Sequence, residues 1–123
     1  MNENVFRSQA DVPEFTGADG ARIREVAGRS TGLSSHSLAV ITHPAGMSTV
    51  EHHHSVADEV YYVQSGTGRI RVDDETWSVQ PGDTIIIRPG QRHKVWVDGP
   101  GELVLIVSCA PAYSVTEVIW DED

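Results

Sequence analysis

An all-β fold is predicted by three observations. Apolar segments of strand length recur along most of the chain, turn-forming residues separate them, and no stretch carries the spacing of a long amphipathic helix. Short strands returning every 8 to 12 residues or so, with turn signals between them, mark a sandwich or barrel. Length agrees, because 123 residues suit one domain, 1–123, with one modest core and no internal repeat.

The first clear strand is 38–41, and an extended stretch at 52–54 leads towards 59–63, where Glu59 opens an apolar run. Ser65, Gly66, Thr67 and Gly68 then tolerate a tight turn before 69–72, and Asp73 with Asp74 separates that segment from 77–79. Residues 84–87 lie between Pro81-Gly82 and Pro89-Gly90, while Asp98, Gly99, Pro100 and Gly101 divide 95–97 from 103–107. The last segment expected is 115–119.

Charge narrows the partners. A formal charge of −9, with Lys94 the only lysine, argues against nucleic acid, whose phosphates demand clustered cations. Asp73, Asp74 and Glu75, like the tail Asp121, Glu122 and Asp123, read as solubilising surface. The negative field opposes an anionic substrate unless arginines at a pocket mouth reverse it locally. No apolar run approaches the roughly 20 residues of a membrane span, and the start of the chain lacks the basic-then-apolar form of a signal peptide, so no membrane and a cytoplasmic location are expected. With Cys109 alone there is no intrachain disulfide and no thiolate zinc site, and Cys109 reads most simply as a buried small hydrophobe.

The chemistry concentrates on histidine. On an extended strand alternate side chains share a face, so His52 and His54 project together from backbone positions roughly 7 Å apart, leaving His53 on the other side. Glu59 can turn back beside them, and His93 arrives from a later strand. Three adjacent histidines alone read equally well as a solvated loop; Glu59 and His93 shift the reading towards one divalent transition metal ion. Three imidazole nitrogens and a carboxylate suit iron, manganese, nickel or zinc rather than calcium or magnesium.

These residues carry a resemblance. Gly46, five residues, His52, one residue, His54, four residues, Glu59, six residues and Gly66 resemble, position for position, the first motif of the cupins. Gly82, Asp83, Arg88, Pro89, Gly90, Gln91, Arg92 and His93 resemble the second, with Arg88 where the family usually has proline and Val97 where it usually has asparagine. The motifs span 46–66 and 82–97, and the tail Cys109 to Tyr113 is similar to the ending of small single-domain bacterial cupins.

The resemblance implies a cupin-type jelly-roll β-barrel with a mononuclear metal held by His52, His54, Glu59 and His93. It also implies a homodimer, for which the apolar residues of 5–15 could pack across or swap. Its functional implications stay open between a metalloenzyme of dioxygenase, isomerase or lyase type acting on a small polar organic molecule, a non-catalytic binding or sensing module, and a metal that only stabilises the barrel.

Around this set, Tyr61 lies two residues beyond Glu59 on the same face and is a catalytic candidate, as a substrate contact or acid, or else packs with its hydroxyl satisfied. Arg88 is the second catalytic candidate, because a guanidinium can pair with a carboxylate through two hydrogen bonds; Arg92 reads as solvated. Gln64 should face away. Tyr113 either closes the pocket or staples a strand, His36 and His43 read as structural, and Trp77, Trp96, Val63, Ile85, Ile87 and Val95 are expected to supply the pocket wall or ordinary core.

Alanine at His52, His54, Glu59 or His93 should sharply lower metal occupancy measured by elemental analysis, and alanine at His53 should not; equal loss at His53 would mean the strand parity is wrong.

Overall fold

Alternation along the strands decides which residues meet inside. In the computed structural model, which describes residues 5–122, the chain forms two antiparallel sheets. The first contains β1 (Phe15–Thr16), β2 (Arg22–Ala27), β3 (Ser37–His43), β5 (Asp58–Ser65), β8 (Thr84–Ile87) and β10 (Leu103–Ala110), ordered β1-β2-β3-β10-β5-β8. The second contains β4 (His52–His54), β6 (Gly68–Val72), β7 (Glu75–Val79), β9 (His93–Trp96) and β11 (Val118–Trp120), ordered β11-β4-β9-β6-β7. Successive segments thus pass between the sheets, the connectivity of a jelly roll.

On β5, Glu59, Tyr61 and Val63 are buried while Tyr62 and Gln64 are exposed; on β10, Leu103, Leu105, Val107 and Cys109 are buried. Ile70, Ile87, Val95, Leu103, Leu105 and Val63 form the most enclosed part of the core. Tyr61, Val107 and Cys109 belong both to this core and to the lining of a cavity beside it, so the apolar packing grades directly into the site.

Three expectations need correction. The last segment is not one strand: Val115–Glu117 is a 3₁₀ turn, and only Val118–Trp120 pairs with β4. Strand β2 was not foreseen, because Arg22, Arg24 and Glu25 break any apolar run; its arginines instead pair on the outside, Arg22 with Glu102 and Arg24 with Glu14. The tryptophans do not wall the pocket. Trp77 shares the face of Val79, but β7 is a sheet edge and leaves it exposed. Trp96 faces outward, where Arg69, Arg71 and Lys94 lie over its ring at 5.1, 5.2 and 5.7 Å. Val63, Ile85, Ile87 and Val95 are core residues that do not line the cavity.

No helix among the described residues is long and apolar enough to cross a membrane.

Gly66 ends the β5 turn at φ +85°, and a Cβ there would stand 2.0 Å from the Glu102 carbonyl oxygen. Gly90 has a similar φ, +84°, but open space around it. Gly90→Ala should therefore cost only the ~1–2 kcal/mol of a left-handed alanine, whereas Gly66→Ala should cost clearly more because the backbone carbonyl of Glu102 must move. Urea denaturation of both variants reads the difference, and equal losses would contradict the close approach.

Candidate metal centre

Each sheet contributes part of one cluster. On β4, His52 and His54 are buried and His53 turns away, its Nδ1 lying 2.8 Å from the Asp121 carboxylate. His93 begins β9 and stands opposite His52 in the antiparallel register. Glu59 comes from β5, in the facing sheet, with only 4 % of its surface exposed. The three histidines offer ring nitrogens within 4.8 Å of one another. Glu59 completes the set, with Oε1 at 3.0 Å from His93 Nε2 and Oε2 at 3.4 Å from His54 Nε2.

The outer ring nitrogens fix which way the imidazoles present their lone pairs. His52 Nδ1 donates to the Val50 carbonyl at 2.9 Å and His93 Nδ1 to the Gln91 carbonyl at 3.0 Å. His54 Nδ1 donates to Glu117 Oε1 at 2.9 Å. A carbonyl can only accept, so Nδ1 carries the proton and, in the neutral ring, Nε2 keeps a free lone pair. All three Nδ1 atoms are thus engaged outside the cluster. His93 Nε2 and Glu59 Oε1 are buried and have no hydrogen-bond partner among the described residues, since their 3.0 Å approach lacks hydrogen-bond geometry. Buried polar atoms of this kind call for a partner, and a cation between them fits both.

Electrostatics agree. Burial alone would raise the Glu59 carboxyl, but the contact with His93 and the charges of His93 and His54 hold it at about 2. Burial likewise disfavours charge on His93, yet the adjacent Glu59 outweighs it and raises that imidazole. His52 is lowered, by burial first and then by His93. The cluster is a carboxylate that requires one positive charge nearby, with imidazoles competing to supply it.

Tyr61 lines the cavity, 6 % exposed, its ring centroid 5.8 Å from that of His93. Its hydroxyl is pushed well above the ordinary range, by burial and then by Glu59, so it stays protonated. Arg88 is exposed and outside the cavity lining, its backbone N–H donating to Gln91 Oε1. Arg92 is exposed and 3.6 Å from Asp121. His36 lies on the surface beside Ser35, and His43 is buried with Nδ1 3.2 Å from the Leu103 carbonyl; neither lines the cavity. Tyr113 does line it, near His54.

Sequence reasoning left the roles of several groups around the cluster unassigned. Glu117 receives the His54 proton and, through Oε2, the backbone N–H groups of Val56 and Ala57 at 3.0 and 3.1 Å. Trp120 forms part of the wall, 5.1 Å from His52 between ring centroids. Cys109 is buried as expected, but its thiol faces the site and donates to Glu59 Oε2 at 3.2 Å. Burial and the Glu59 charge raise that thiol, so it serves as a donor. The pairing of β10 with β5 sets Cys109 directly opposite Glu59; the sequence held no signal for that, nor for Glu117 and Trp120.

Two facing antiparallel sheets that close over three histidines and a glutamate define a jelly-roll protein with a candidate metal centre. The chain belongs to the cupin family: the family's domain profile matches residues 39–109. It is also 35 % identical over 113 residues to the uncharacterized protein MJ1618 of Methanocaldococcus jannaschii, covering 89 % of this chain and 90 % of that one. Among solved structures, the fold is similar to Pac13, a nucleoside dehydratase from Streptomyces, at TM-score 0.80, 17 % identity and coverage of 98 % and 92 % of the two chains. It is likewise similar to the polyketide cyclase RemF of Streptomyces resistomycificus, at TM-score 0.75, 22 % identity and coverage of 89 % and 80 %. At these identities the likeness is one of fold.

Because Glu117 orients His54, Glu117→Ala should weaken metal affinity by about 10-fold or more, while Glu117→Gln, which keeps an oxygen acceptor, should lose less. Competition with a chromogenic chelator measures both, and an unchanged affinity in the alanine variant would show that His54 needs no such support.

Proposed function

We propose that this cupin is a mononuclear metalloenzyme acting on a small organic molecule, with His52, His54, His93 and Glu59 as the metal ligands. One observation carries the reading: every histidine of the cluster commits Nδ1 outward, the three rings offer nitrogens within 4.8 Å of one another, and Nε2 of His54 and of His93 faces Glu59, an arrangement a metal ion uses and a purely structural polar core does not require. A divalent transition metal so held supplies Lewis-acid polarisation of a bound carbonyl or hydroxyl.

The protein's own groups do the rest. Tyr61, kept protonated beside the cluster, is placed to donate a proton or hydrogen bond to a substrate atom. Cys109 holds Glu59 Oε2, restricting the rotation of the carboxylate. Trp120, Tyr113 and the apolar side chains of β2, β3 and β10 exclude water and orient the substrate. Arg88, outside the cavity, takes no part. The exposed Val5 and Phe6 offer apolar surface that a homodimer would cover.

Elemental analysis of protein purified without added metal, then reconstituted, should find about one transition-metal ion per chain. Turnover and oxygen-uptake assays on the loaded protein then separate hydrolytic, eliminative or isomerising chemistry from dioxygenation. Failure to bind any transition metal overturns the proposal; tight ligand binding without turnover across such a screen assigns the site to a binding module instead.

A further inference from the structure

The cavity around the cluster carries more negative charge than metal binding needs. Asp19, in the turn before β2, and Glu25, on β2, line it together with Glu59, and among the described residues no lysine or arginine does. Strand parity produces this arrangement. Ile23 and Glu25 border the cavity, whereas Arg22 and Arg24 alternate with them and are held outside by Glu102 and Glu14. Arg29, beside the tail, is engaged by the Ala112 and Tyr113 carbonyls at 3.1 and 3.2 Å.

Neither extra carboxylate is neutralised. Asp19 Oδ1 accepts the Ala21 N–H at 3.1 Å and Glu25 Oε1 the Ser30 hydroxyl at 3.2 Å, both uncharged donors, and among the described residues no cation pairs with either. Their field reaches the cavity wall: Asp19 and Glu25 are among the charges that, after burial, raise the Tyr113 hydroxyl. A divalent ion does not reverse the balance, because the three lining carboxylates outweigh it, with Glu117 behind His54 adding a fourth. The remaining wall is apolar and aromatic, with Phe15, Ile41, Val107 and Trp120 lining the cavity.

We infer that the site selects an uncharged or cationic hydrogen-bond donor, its polar groups turned towards Asp19 and Glu25 and its apolar body against Trp120 and Ile41, and that it discriminates against carboxylate- and phosphate-bearing compounds. This rests on the metal reading above and specifies its substrate class. The expectation that arginines at the mouth could reverse the overall negative field is not met: the arginines of β2 point away, and Arg88 lies outside.

The test uses the full chain loaded with cobalt, its stoichiometry checked first by elemental analysis. Two chelating probes of matched shape, 2-picolylamine, neutral when it chelates, and picolinate, an anion, are titrated while the visible absorption of the ion is followed. In Asp19→Asn/Glu25→Gln protein, the ratio of the picolinate Kd to the picolylamine Kd should fall at least 10-fold relative to the unmodified chain. Comparing ratios removes the intrinsic preference of the ion. The single variants Asp19→Asn and Glu25→Gln, each expected to lower the ratio about 3-fold, carry the test if the double variant does not fold. An unchanged ratio in cobalt-loaded protein overturns the substrate class and leaves the metal reading standing. A chain that takes up no cobalt overturns both.

Discussion

A carboxylate sealed between two sheets must have a positive charge beside it. Glu59 is almost fully buried and held ionised, and an unpaired charge in such a place costs several kcal/mol. Its neighbours, His54 and His93, belong to the opposite sheet, so the cation that stabilises Glu59 also ties β5 to β4 and β9. An imidazolium can fill that role; a metal ion held there would do so while leaving the imidazoles neutral, and would couple its binding to the cohesion of the sheets. Core packing and site chemistry therefore meet in one interaction.

The second layer of the site comes from the end of the chain. Strand β11 pairs with β4 so that Val118 stands opposite His54 and Trp120 opposite His52. Glu117, just before it, holds His54 and the loop after β4; Asp121, just after it, holds His53. Arg29 fastens the same segment from β2's side through the Ala112 and Tyr113 carbonyls. The tail is at once a brace for His54 and its strand β4 and part of the cavity wall. A group that holds His54 and a group that lines the cavity, Glu117 and Trp120, are here a few residues apart, so one short segment serves both.

Fold and chemistry divide the charged residues between them by strand parity. Arginines at alternate positions of β2, and Arg69 and Arg71 on β6, all lie outside, paired with acids or stacked over Trp96. Acids sit on both faces. The interior consequently has a sign of its own, set by geometry and not by the overall charge of −9.

Local pattern determined much by itself. Apolar segments broken by turn residues announced an all-β fold, because strand burial and tight turns are both short-range demands, and seven of the expected segments lie within observed strands. Period-two alternation, a property of the strand alone, put His52 and His54 on one face, and the motif resemblance added Glu59 and His93 to them. Tertiary structure decided what alternation cannot. Trp77 and Trp96 have the composition of a pocket wall but stand at an edge and on an outer face, and Trp120 takes the place expected of them. Glu117 and Cys109 reach the cluster through strand pairing over 50 or more residues. Arg88, a catalytic candidate in the sequence, faces solvent outside the cavity, while Asp19 and Glu25, unremarked in the sequence, set the charge of the cavity. Which strand lies beside which, and which sheet faces it, is settled by packing of the whole chain, and that is where the second layer of the site and its polarity arise.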